Sequence, residues 1–420
     1  MVYSFNKKEG ILIYWNPLKI LGEIEKMKES LFNYRFEYEN QKYIFNTNNN
    51  GLIQINNDIF TEEEREYLRV NRFWVDDNED EIALLEREIN HNIQKRQKEL
   101  ELTIALTNYC NFSCVYCYQN KNEKLMTTEV ANMIIEKIDR ILNDNIFEGI
   151  NIHYFGGEPL LNIPVLIYLD ENIKKITDKI GIVYKAFLTT NGSMLSKELL
   201  QKVKFSSIQL TFDGLEKTHD RLRVSDHFHF KEEIELIENI MNFSQAKVLL
   251  RTNICKENKD EIIALHKYIF EKFGNERIEI NPNRTIKYHQ DDSFEMLSVQ
   301  EYAEVAYQIK LLWSEQKGKF ELPVPRSTPC KFPYGNAYAI SPEGYCTFCS
   351  GSMDQEKKYF FDVDIENKKM FSVRKECKKC NILPLCLGGC IIQYNLRAGA
   401  CTYEKYELKN ILISYIKHIS

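Results

Sequence analysis

The sequence predicts an α/β protein in which a parallel sheet forms the central domain. Between residues 100 and 318, short apolar strands and helical stretches alternate six times. Such an alternation is expected to give parallel strands joined by right-handed crossovers. The flanking segments differ: the first 99 residues contain no cysteine, whereas eight of the twelve cysteines lie between Cys330 and Cys401. We therefore expect three domains, at residues 1–99, 100–318 and 319–420.

The composition is that of an ordinary globular protein. Of 420 residues, 44% are hydrophobic and 28% are charged, and the net charge is −6. Lysine and arginine form no stripe that could offset phosphates, so we expect no nucleic-acid partner. No run of 18 apolar residues is present, and the first ten residues lack the apolar core of a signal peptide, so we expect a cytoplasmic protein without a membrane span. Cysteines in a reducing compartment more often bind metal than form disulfides.

The first domain is predicted to be a small α+β or winged-helix unit. Residues 34–38 alternate like a half-buried strand, and residues 42–46 and 52–55 follow as further strands. Thr61 and Glu64 have the spacing of a capping box, which predicts a helix start. Four aliphatic residues at helical spacing indicate one face of a second helix: Ile82, Leu85, Ile89 and Ile93.

Six strands are predicted in the central domain. They are residues 102–107, 150–155, 183–188, 208–212, 247–253 and 277–280. In barrels of parallel strands the chemistry lies at the C-terminal ends of the strands. The motifs of this domain fall at those ends.

Three closely spaced cysteines follow the first of these strands. Cys110, Cys114 and Cys117 are separated by three and then two residues, and the aromatic Tyr116 precedes the last of them. Three thiolates on a short loop can bind three irons of a cubic [4Fe–4S] cluster and leave the fourth iron open, whereas a cluster that only carries electrons usually takes four cysteines. This spacing resembles the signature of the radical S-adenosylmethionine (SAM) superfamily. A zinc knuckle lacking a ligand, or three unrelated cysteines, is the alternative.

The resemblance implies a fold, cofactors and a reaction. Enzymes of this superfamily have a partial (β/α)6 TIM-like barrel, with which the six predicted strands agree. Their open iron chelates SAM, an electron from the cluster cleaves the sulfonium, and a 5′-deoxyadenosyl radical removes hydrogen from the substrate. Tyr116 is then expected to border the adenine, and its alternative role is that of a core tyrosine.

Further residues resemble SAM-binding positions of this superfamily. Gly156, Gly157 and Glu158 follow the second strand, where paired glycines allow a ligand to approach the backbone closely. By the resemblance, Glu158 receives the amino group of SAM. Ribose and carboxylate contacts are implied for four residues at later strand ends: Thr190, Asn191, Thr211 and Arg251. Arg251 could pair bidentately with the SAM carboxylate, or form a structural salt bridge at the rim.

Two other features of the central domain have structural interpretations. His219, Asp220 and Arg223 follow the turn at Asp213, and we interpret them as helix-start structure rather than catalytic groups. Cys255 lies on or just past the fifth strand and is interpreted as a small buried hydrophobic residue.

Seven cysteines near the C-terminus recur at characteristic intervals: Cys330, Cys349, Cys377, Cys380, Cys386, Cys390 and Cys401. These intervals resemble the SPASM domain of enzymes that mature peptides and sulfatases. The resemblance implies two auxiliary [4Fe–4S] clusters. One would be closed by four residues, namely Cys377, Cys380, Cys386 and Cys401. The other would be bound by Cys330, Cys349 and Cys390, and two zinc sites are the structural alternative.

The second auxiliary cluster lacks an evident fourth ligand. Cys346 is the spare thiol in this stretch, but on a regular strand Cys346 and Cys349 would face opposite sides. A knuckle-like turn would bring them together. Both arrangements therefore stay open: ligation by Cys346, or an open iron that could hold a substrate thiolate.

Together these resemblances predict a radical SAM/SPASM enzyme that modifies a ribosomally made precursor peptide, with SAM and three [4Fe–4S] clusters as cofactors. The first domain resembles, by its position, leader-recognition domains similar to the pyrroloquinoline-quinone chaperone fold; its alternative is a cap that only buries core surface. We expect a thioether cross-link first and a carbon–carbon link second, and a reductase, flavodoxin or ferredoxin as electron donor. The alternatives are an anaerobic sulfatase-maturing (formylglycine-generating) enzyme and a non-enzymatic iron–sulfur electron carrier.

Overall fold

The structure is a computed structural model of the 420-residue chain. It describes residues 3–5, 12–13, 27–55, 60–96, 98–119, 121–144, 147–274, 277–287, 293–347, 349–352, 358–363, 370–390 and 401–419. The chain forms two compact units. The terminal unit combines residues 1–93, 310–330 and 370–420, and the central unit combines residues 94–309 and 331–369.

The described elements are numbered in chain order. The strands are β1 (Tyr3–Phe5), β2 (Leu12–Ile13), β3 (Met27–Glu29), β4 (Asn33–Tyr38), β5 (Gln41–Asn46), β6 (Gly51–Ile55), β7 (Trp74–Asp76), β8 (Glu99–Ala105), β9 (Gly149–Phe155), β10 (Val183–Thr189), β11 (Phe205–Thr211), β12 (Lys247–Ile254), β13 (Ile278–Arg284), β14 (Ala337–Ile340), β15 (Tyr345–Thr347) and β16 (Lys358–Tyr359). The helices are α1 (Glu62–Val70), α2 (Glu81–Arg96), α3 (Thr128–Asp144), α4 (Ile163–Ile180), α5 (Lys197–Lys202), α6 (Glu216–Leu222), α7 (Phe230–Phe243), α8 (Ile262–Phe273), α9 (Val299–Lys317), α10 (Lys331–Tyr334), α11 (Leu383–Cys386) and α12 (Glu404–Ile419).

A nine-stranded sheet runs through the central unit in the order β13-β12-β11-β10-β9-β8-β14-β15-β16. The strands β8 to β13 pair in parallel, which confirms the six predicted strands and their direction. Their order in the sheet follows the chain, as expected when each helical crossover leads to the neighbouring position. The sheet continues past β8 with β14, which is parallel to β8, and with the antiparallel β15 and β16.

The strands of this sheet separate an apolar face from a more polar one. In β9, Ile150, Ile152 and Tyr154 are fully buried, and α4 packs on this strand and on β10. The alternate residues Asn151 and His153 are half-buried on the opposite face. This period of two is the expected consequence of strand geometry. The loops that follow the C-terminal ends of the parallel strands lie at one edge of the sheet. Ligands bind at this edge in folds of this kind.

The terminal unit contains a five-stranded antiparallel sheet in the order β2-β1-β6-β5-β4. Strands β4, β5 and β6 confirm the three strands predicted there. The capping box at the start of α1 is also confirmed, since Thr61 Oγ1 accepts from the Glu64 N–H at 3.2 Å and Glu64 Oε2 accepts from the Thr61 N–H at 2.9 Å. Helix α2 buries three of the four residues predicted to form its apolar face: Leu85, Ile89 and Ile93.

Both ends of the chain contribute to one hydrophobic core. Phe36, Phe45 and Leu52 of the sheet pack with apolar residues near the C-terminus: Ile382, Leu385, Leu408, Leu412 and Ile416. Asn381 adds a polar link, because its side chain donates to the Asn33 carbonyl at 3.2 Å. A pattern of apolar residues indicates which faces are buried but not which faces meet, so this pairing was not predicted.

No helix among the described residues is both long and apolar enough to cross a bilayer. The prediction that there is no signal peptide rests on the first ten residues. Most of these residues lie outside the part of the chain that the structure describes.

Candidate active site at the cysteine loop

The loop that follows β8 carries the three cysteines predicted to bind a cluster. It connects β8 to α3 at the edge of the sheet where the parallel strands end. Two backbone hydrogen bonds hold its middle against a neighbouring segment. The Ser113 N–H donates to the Val224 carbonyl at 2.8 Å, and the Val115 N–H donates to the Leu222 carbonyl at 3.0 Å.

Cys110, Cys114 and Cys117 are free thiols on this loop. The Cys117 N–H donates to the Cys114 carbonyl at 3.2 Å, and the Cys110 sulfur accepts from the Phe112 N–H at 3.4 Å. The pKa of Cys114 is raised to about 11, chiefly by burial and in part by the neighbouring Cys117 and Cys110 thiols, while Arg223 opposes the rise. The three thiols therefore lie within electrostatic range of one another.

Three free thiols on one short loop are the donor set that a [4Fe–4S] cluster would need. Among the described residues, no group of three or more His, Cys, Asp or Glu side chains is placed to hold one metal ion. A structural zinc site needs four ligands around one ion, whereas each cysteine of a [4Fe–4S] cluster binds a separate iron. Three free thiols on a short loop can each bind a separate iron. Ligation by these cysteines stays a prediction.

Gly156 and Gly157 bring the end of β9 against the backbone of the cysteine loop. A Cβ atom on Gly156 would lie less than 3.0 Å from the Thr107 carbonyl oxygen, and one on Gly157 less than 3.0 Å from the Tyr109 carbonyl oxygen. The Gly157 N–H also donates to the Thr107 carbonyl, and the Glu158 N–H to the Tyr109 carbonyl, both at 2.8 Å. The close approach that these glycines permit is thus to the loop itself; their approach to SAM stays a prediction.

Glu158 is fully buried and joins the end of β9 to the end of β10. Its carboxylate accepts from Thr190 Oγ1 at 2.7 Å, from the Asn191 N–H at 2.7 Å and from the Leu160 N–H at 3.0 Å. Burial raises the pKa of Glu158 to about 7, and the three hydrogen bonds limit the rise. A carboxylate has about four acceptor positions, so these three bonds leave one, and its use by SAM stays a prediction.

Asn191 extends this network to the cysteine loop. Its Nδ2 donates to Asn111 Oδ1 at 2.8 Å and lies 3.9 Å from the Cys110 sulfur. Asn111 in turn donates to Ser193 Oγ at 2.9 Å. The structure therefore brings Glu158, Thr190 and Asn191 together beside the first cysteine, although they come from separate strand ends.

Thr211 and Arg251 lie on neighbouring strands further along the sheet. They are paired in register between β11 and β12. Thr211 is buried, whereas Arg251 is half-buried and donates from Nε to Asn253 Oδ1 at 2.8 Å. No carboxylate among the described residues forms an ion pair with Arg251, which argues against the rim salt bridge; the role of Arg251 toward SAM stays a prediction.

Tyr116 is anchored through its hydroxyl. The hydroxyl donates to the carboxylate of the fully buried Asp213, and Asp213 also accepts from the Asn253 N–H at 2.7 Å. Burial and the Asp213 charge raise the pKa of Tyr116. The sequence indicated Tyr116 as an adenine neighbour but gave no signal for this bond, because the two partners are 97 residues apart.

The four cysteines predicted to close one auxiliary cluster all lie in the terminal unit: Cys377, Cys380, Cys386 and Cys401. Burial raises the pKa of Cys380, and the neighbouring Cys401 and Cys377 thiols raise it further. Burial also raises the pKa of Cys386 to about 11, with a contribution from Cys380. Cys380 is thus within electrostatic range of the other three.

The cysteines predicted for the second auxiliary cluster are divided between the units. Cys330 and Cys390 belong to the terminal unit and are exposed, whereas Cys349 belongs to the central unit and is half-buried. Cys346 lies on β15 and is buried. Their joint ligation stays a prediction. Cys255 is fully buried, which confirms its interpretation as a small hydrophobic residue.

Comparison of the sequence with known proteins identifies the domain that carries this site. Residues 104–269 match the Radical SAM superfamily. Radical SAM cyclopropyl synthase TigE of Paramaledivibacter caminithermalis is 24% identical over 372 residues, which cover 78% of this chain and 76% of that protein. The uncharacterized protein MJ0907 of Methanocaldococcus jannaschii is 34% identical over 119 residues, 27% of this chain, and GTP 3′,8-cyclase of Helicobacter pylori is 31% identical over 186 residues, 43% of this chain. The chain spans 39% and 53% of the length of these two relatives.

Two solved structures share the fold. One is anSMEcpe with bound AdoMet and the Cp18Cys peptide, with a TM-score of 0.59, 18% identity, and coverage of 76% of this chain and 98% of that chain. The other is SuiB of Streptococcus suis bound to its precursor peptide SuiA, with a TM-score of 0.53, 16% identity, and coverage of 88% and 97%. The similarity to the Radical SAM superfamily covers residues 104–269, which include the three-cysteine loop.

Proposed function

We propose that this protein cleaves SAM reductively and uses the 5′-deoxyadenosyl radical to modify a ribosomally synthesised precursor peptide. The observation that carries the proposal is the network that joins the three-cysteine loop to the ends of β9 and β10. Glu158 accepts from Thr190 and Asn191, and Asn191 reaches Asn111 and the Cys110 sulfur. SAM presents an amino group and a carboxylate. A site that binds both beside the cluster needs carboxylate, amide and hydroxyl groups such as these.

The residues of the chain have separate tasks in this proposal. Cys110, Cys114 and Cys117 hold the cluster, which when bound supplies the electron that cleaves SAM. Glu158 offers its remaining acceptor position to the SAM ammonium. Five residues contact the rest of SAM: Tyr116, Thr190, Asn191, Thr211 and Arg251. The buried strand ends exclude water from this region, and the cofactors supply the difficult chemistry.

The expected product is a cross-link or ring within the peptide. Two observations support a peptide substrate, namely the similarity of fold to SuiB, whose structure contains a precursor peptide, and to anSMEcpe, whose structure contains a peptide. A thioether was the first expectation. The similarity to a cyclopropyl synthase over 78% of this chain favours a carbon–carbon bond instead. Mass spectrometry of the modified peptide with and without thiol alkylation separates the two products, because a thioether removes an alkylatable cysteine.

The terminal unit is proposed to recognise a leader segment. The end strand β4 has a strand partner on one side only among the described residues. An extended peptide could add to this edge by main-chain hydrogen bonds, and exposed edges are usually protected unless a partner uses them. Hydrogen–deuterium exchange with the synthetic leader of a precursor encoded beside this gene should protect the amides of β4. Protection confined to other segments would instead make this unit a cap.

The electron donor is proposed to be a small acidic carrier such as a flavodoxin or ferredoxin. Exposed lysines flank the cysteines of the proposed closed auxiliary cluster: Lys375, Lys378, Lys379 and Lys405. Lys405 is near enough to Cys380 to influence its pKa. Association of opposite charges steers encounter and weakens with salt, so the rate of reduction should fall as ionic strength rises.

Direct assays distinguish two alternative functions from the proposed one. A sulfatase-maturing enzyme would convert a cysteine-containing sulfatase peptide to formylglycine. A non-enzymatic carrier would produce no 5′-deoxyadenosine. Anaerobic incubation of the reconstituted, reduced protein with SAM, followed by liquid chromatography and mass spectrometry, tests the proposed function, and absence of 5′-deoxyadenosine from a fully iron-loaded protein would contradict it.

A further inference from the structure

Arg223 stands opposite the central cysteine of the loop. The Ser113 N–H donates to the Val224 carbonyl at 2.8 Å, and the Val115 N–H donates to the Leu222 carbonyl at 3.0 Å. These two bonds connect residues on either side of Cys114 with residues on either side of Arg223. The segments 113–115 and 222–224 therefore run antiparallel, with Cys114 and Arg223 at the same level.

The side chain of Arg223 is buried and poorly satisfied. It is 6% exposed, and its Nε has no hydrogen-bond partner. Its guanidinium lies over the Phe112 ring, 5.4 Å from the centroid, and Nη1 donates to the Tyr116 hydroxyl at 3.5 Å, which is long for a hydrogen bond. All of these contacts belong to the cysteine loop.

The acidic groups around Arg223 form no ion pair with it among the described residues. Asp213 accepts from Tyr116 and from the Asn253 N–H, and Glu158 accepts from its own three donors. Glu233 lies 3.1 Å from the His219 ring nitrogen, and its oxygens have no hydrogen-bond partner among the described residues. Within the part of the chain that the structure describes, no carboxylate oxygen lies within 4.0 Å of the Arg223 guanidinium. Asp213, Glu233 and the Cys114 thiol still act on it electrostatically.

A buried cation without a close counter-ion is unfavourable unless an anion completes its environment. The Cys114 thiolate with its cluster is such an anion, since metal-bound cysteine is deprotonated. We infer that Arg223 is a positioning residue that supplies the buried positive charge for the cluster at Cys114 and thereby favours its one-electron reduction. This inference rests on the proposed function, because it requires a cluster on the loop.

The physical effect is on the charge balance of reduction. One-electron reduction, by an external reductant, of a cluster held on this loop would make its net charge more negative by one unit. A fixed cation nearby stabilises the reduced form more than the oxidised form. Removing that cation should therefore lower the reduction potential, while leaving the three thiolate ligands in place.

The test is a redox titration of the full-length, reconstituted protein. Electron paramagnetic resonance follows the signal of the reduced cluster that changes on addition of SAM, and iron is assayed in parallel. Arg223→Gln should lower the equilibrium constant for reduction by at least about tenfold, equivalent to 59 mV for one electron. Arg223→Lys, which keeps the charge, should change the equilibrium constant for reduction much less. The control is Arg221→Gln, which removes an exposed charge two residues away and should leave the potential unchanged.

The outcomes separate this inference from the proposed function. Loss of iron or a lower potential in Arg223→Gln, with recovery in Arg223→Lys, supports the inference. An unchanged potential and iron content in Arg223→Gln overturns the inference. An equal fall in potential or iron content in Arg223→Gln and Arg223→Lys also overturns it, because that result would indicate a packing role. If the unmodified protein itself gives no SAM-responsive signal, the proposed function fails instead.

Discussion

At the residue scale, the carboxylate of Glu158 combines two roles. It is buried at the junction of two strand ends and accepts three hydrogen bonds. Its predicted role toward SAM needs the ionised form, yet burial raises its pKa to about 7 from its usual 4.5. In the folded protein the carboxyl therefore keeps a proton that the unfolded chain has already lost. Its contribution to the free energy of unfolding accordingly falls as pH rises from about 4.5 to about 7.

Glu158→Gln should weaken SAM binding while iron content stays unchanged, because the carboxylate meets the ammonium of the ligand and no metal. Loss of one charge-assisted hydrogen bond costs about 1.5–3 kcal/mol. In the unmodified protein, SAM affinity should rise between about pH 6 and pH 8 as Glu158 ionises, and this dependence should be absent from the glutamine variant. Isothermal titration at several pH values measures both effects. Unchanged affinity in the variant would reduce Glu158 to a structural link between strands.

Single residues were predictable to different degrees. The spacing of Cys110, Cys114 and Cys117 and the resemblance it carries led directly to the loop that the structure holds at the strand ends. The interpretation of Arg223 as helix-start structure is wrong, because Arg223 follows the last residue of α6, and its position opposite Cys114 could not be anticipated. That position depends on two backbone bonds between segments more than a hundred residues apart, and local patterns do not encode such pairings.

At the element scale, the six parallel strands follow from periodicity and their order follows from short crossovers. The strands β14 to β16 were not predicted. They have four, three and two residues, too few to establish an alternating pattern. Their place in the sheet depends on the pairing of β14 with β8 and of each later strand with the one before it, rather than on propensity.

The contact between the end of β9 and the cysteine loop can be tested by adding one methyl group. Gly157→Ala would place a Cβ against the Tyr109 carbonyl, closer than 3.0 Å, and backbone cannot move aside cheaply. We expect loss of roughly four irons per chain, those of the loop cluster, and a lower melting temperature. Gly181→Ala is the control for iron content: nothing lies within 4 Å of its Cβ position, so its left-handed φ of 82° should lower the melting temperature while iron content stays unchanged. Full iron content in Gly157→Ala would show that the loop does not depend on this contact.

At the scale of the whole molecule, the two ends of the chain fold together. Phe45 of β5 is completely buried in the core that also contains Leu408 and Leu412 of α12. Removing residues 1–99 would therefore expose the apolar face of the C-terminal segment. A truncated protein is not a clean test of leader recognition for this reason, although the sequence, with its cysteine-free first segment, suggested a separable domain.

Phe45→Ala should lower the free energy of unfolding by about 3–5 kcal/mol, as expected for a large buried side chain. Because this core adjoins Cys380, we also expect weaker retention of the proposed closed auxiliary cluster, measured as roughly four irons lost on gel filtration. Val70→Ala, at an exposed position, is the control. Retention of all iron in a destabilised Phe45→Ala protein would show that the cluster region is stable without the sheet.

The claim that Cys110, Cys114 and Cys117 bind the cluster that cleaves SAM is tested most directly by replacing all three with alanine. After anaerobic reconstitution the unmodified protein should hold roughly twelve irons per chain and the triple variant roughly eight. Reduced with dithionite and supplied with SAM, the unmodified protein should form 5′-deoxyadenosine and the variant none. Formation of 5′-deoxyadenosine by the triple variant would contradict the account.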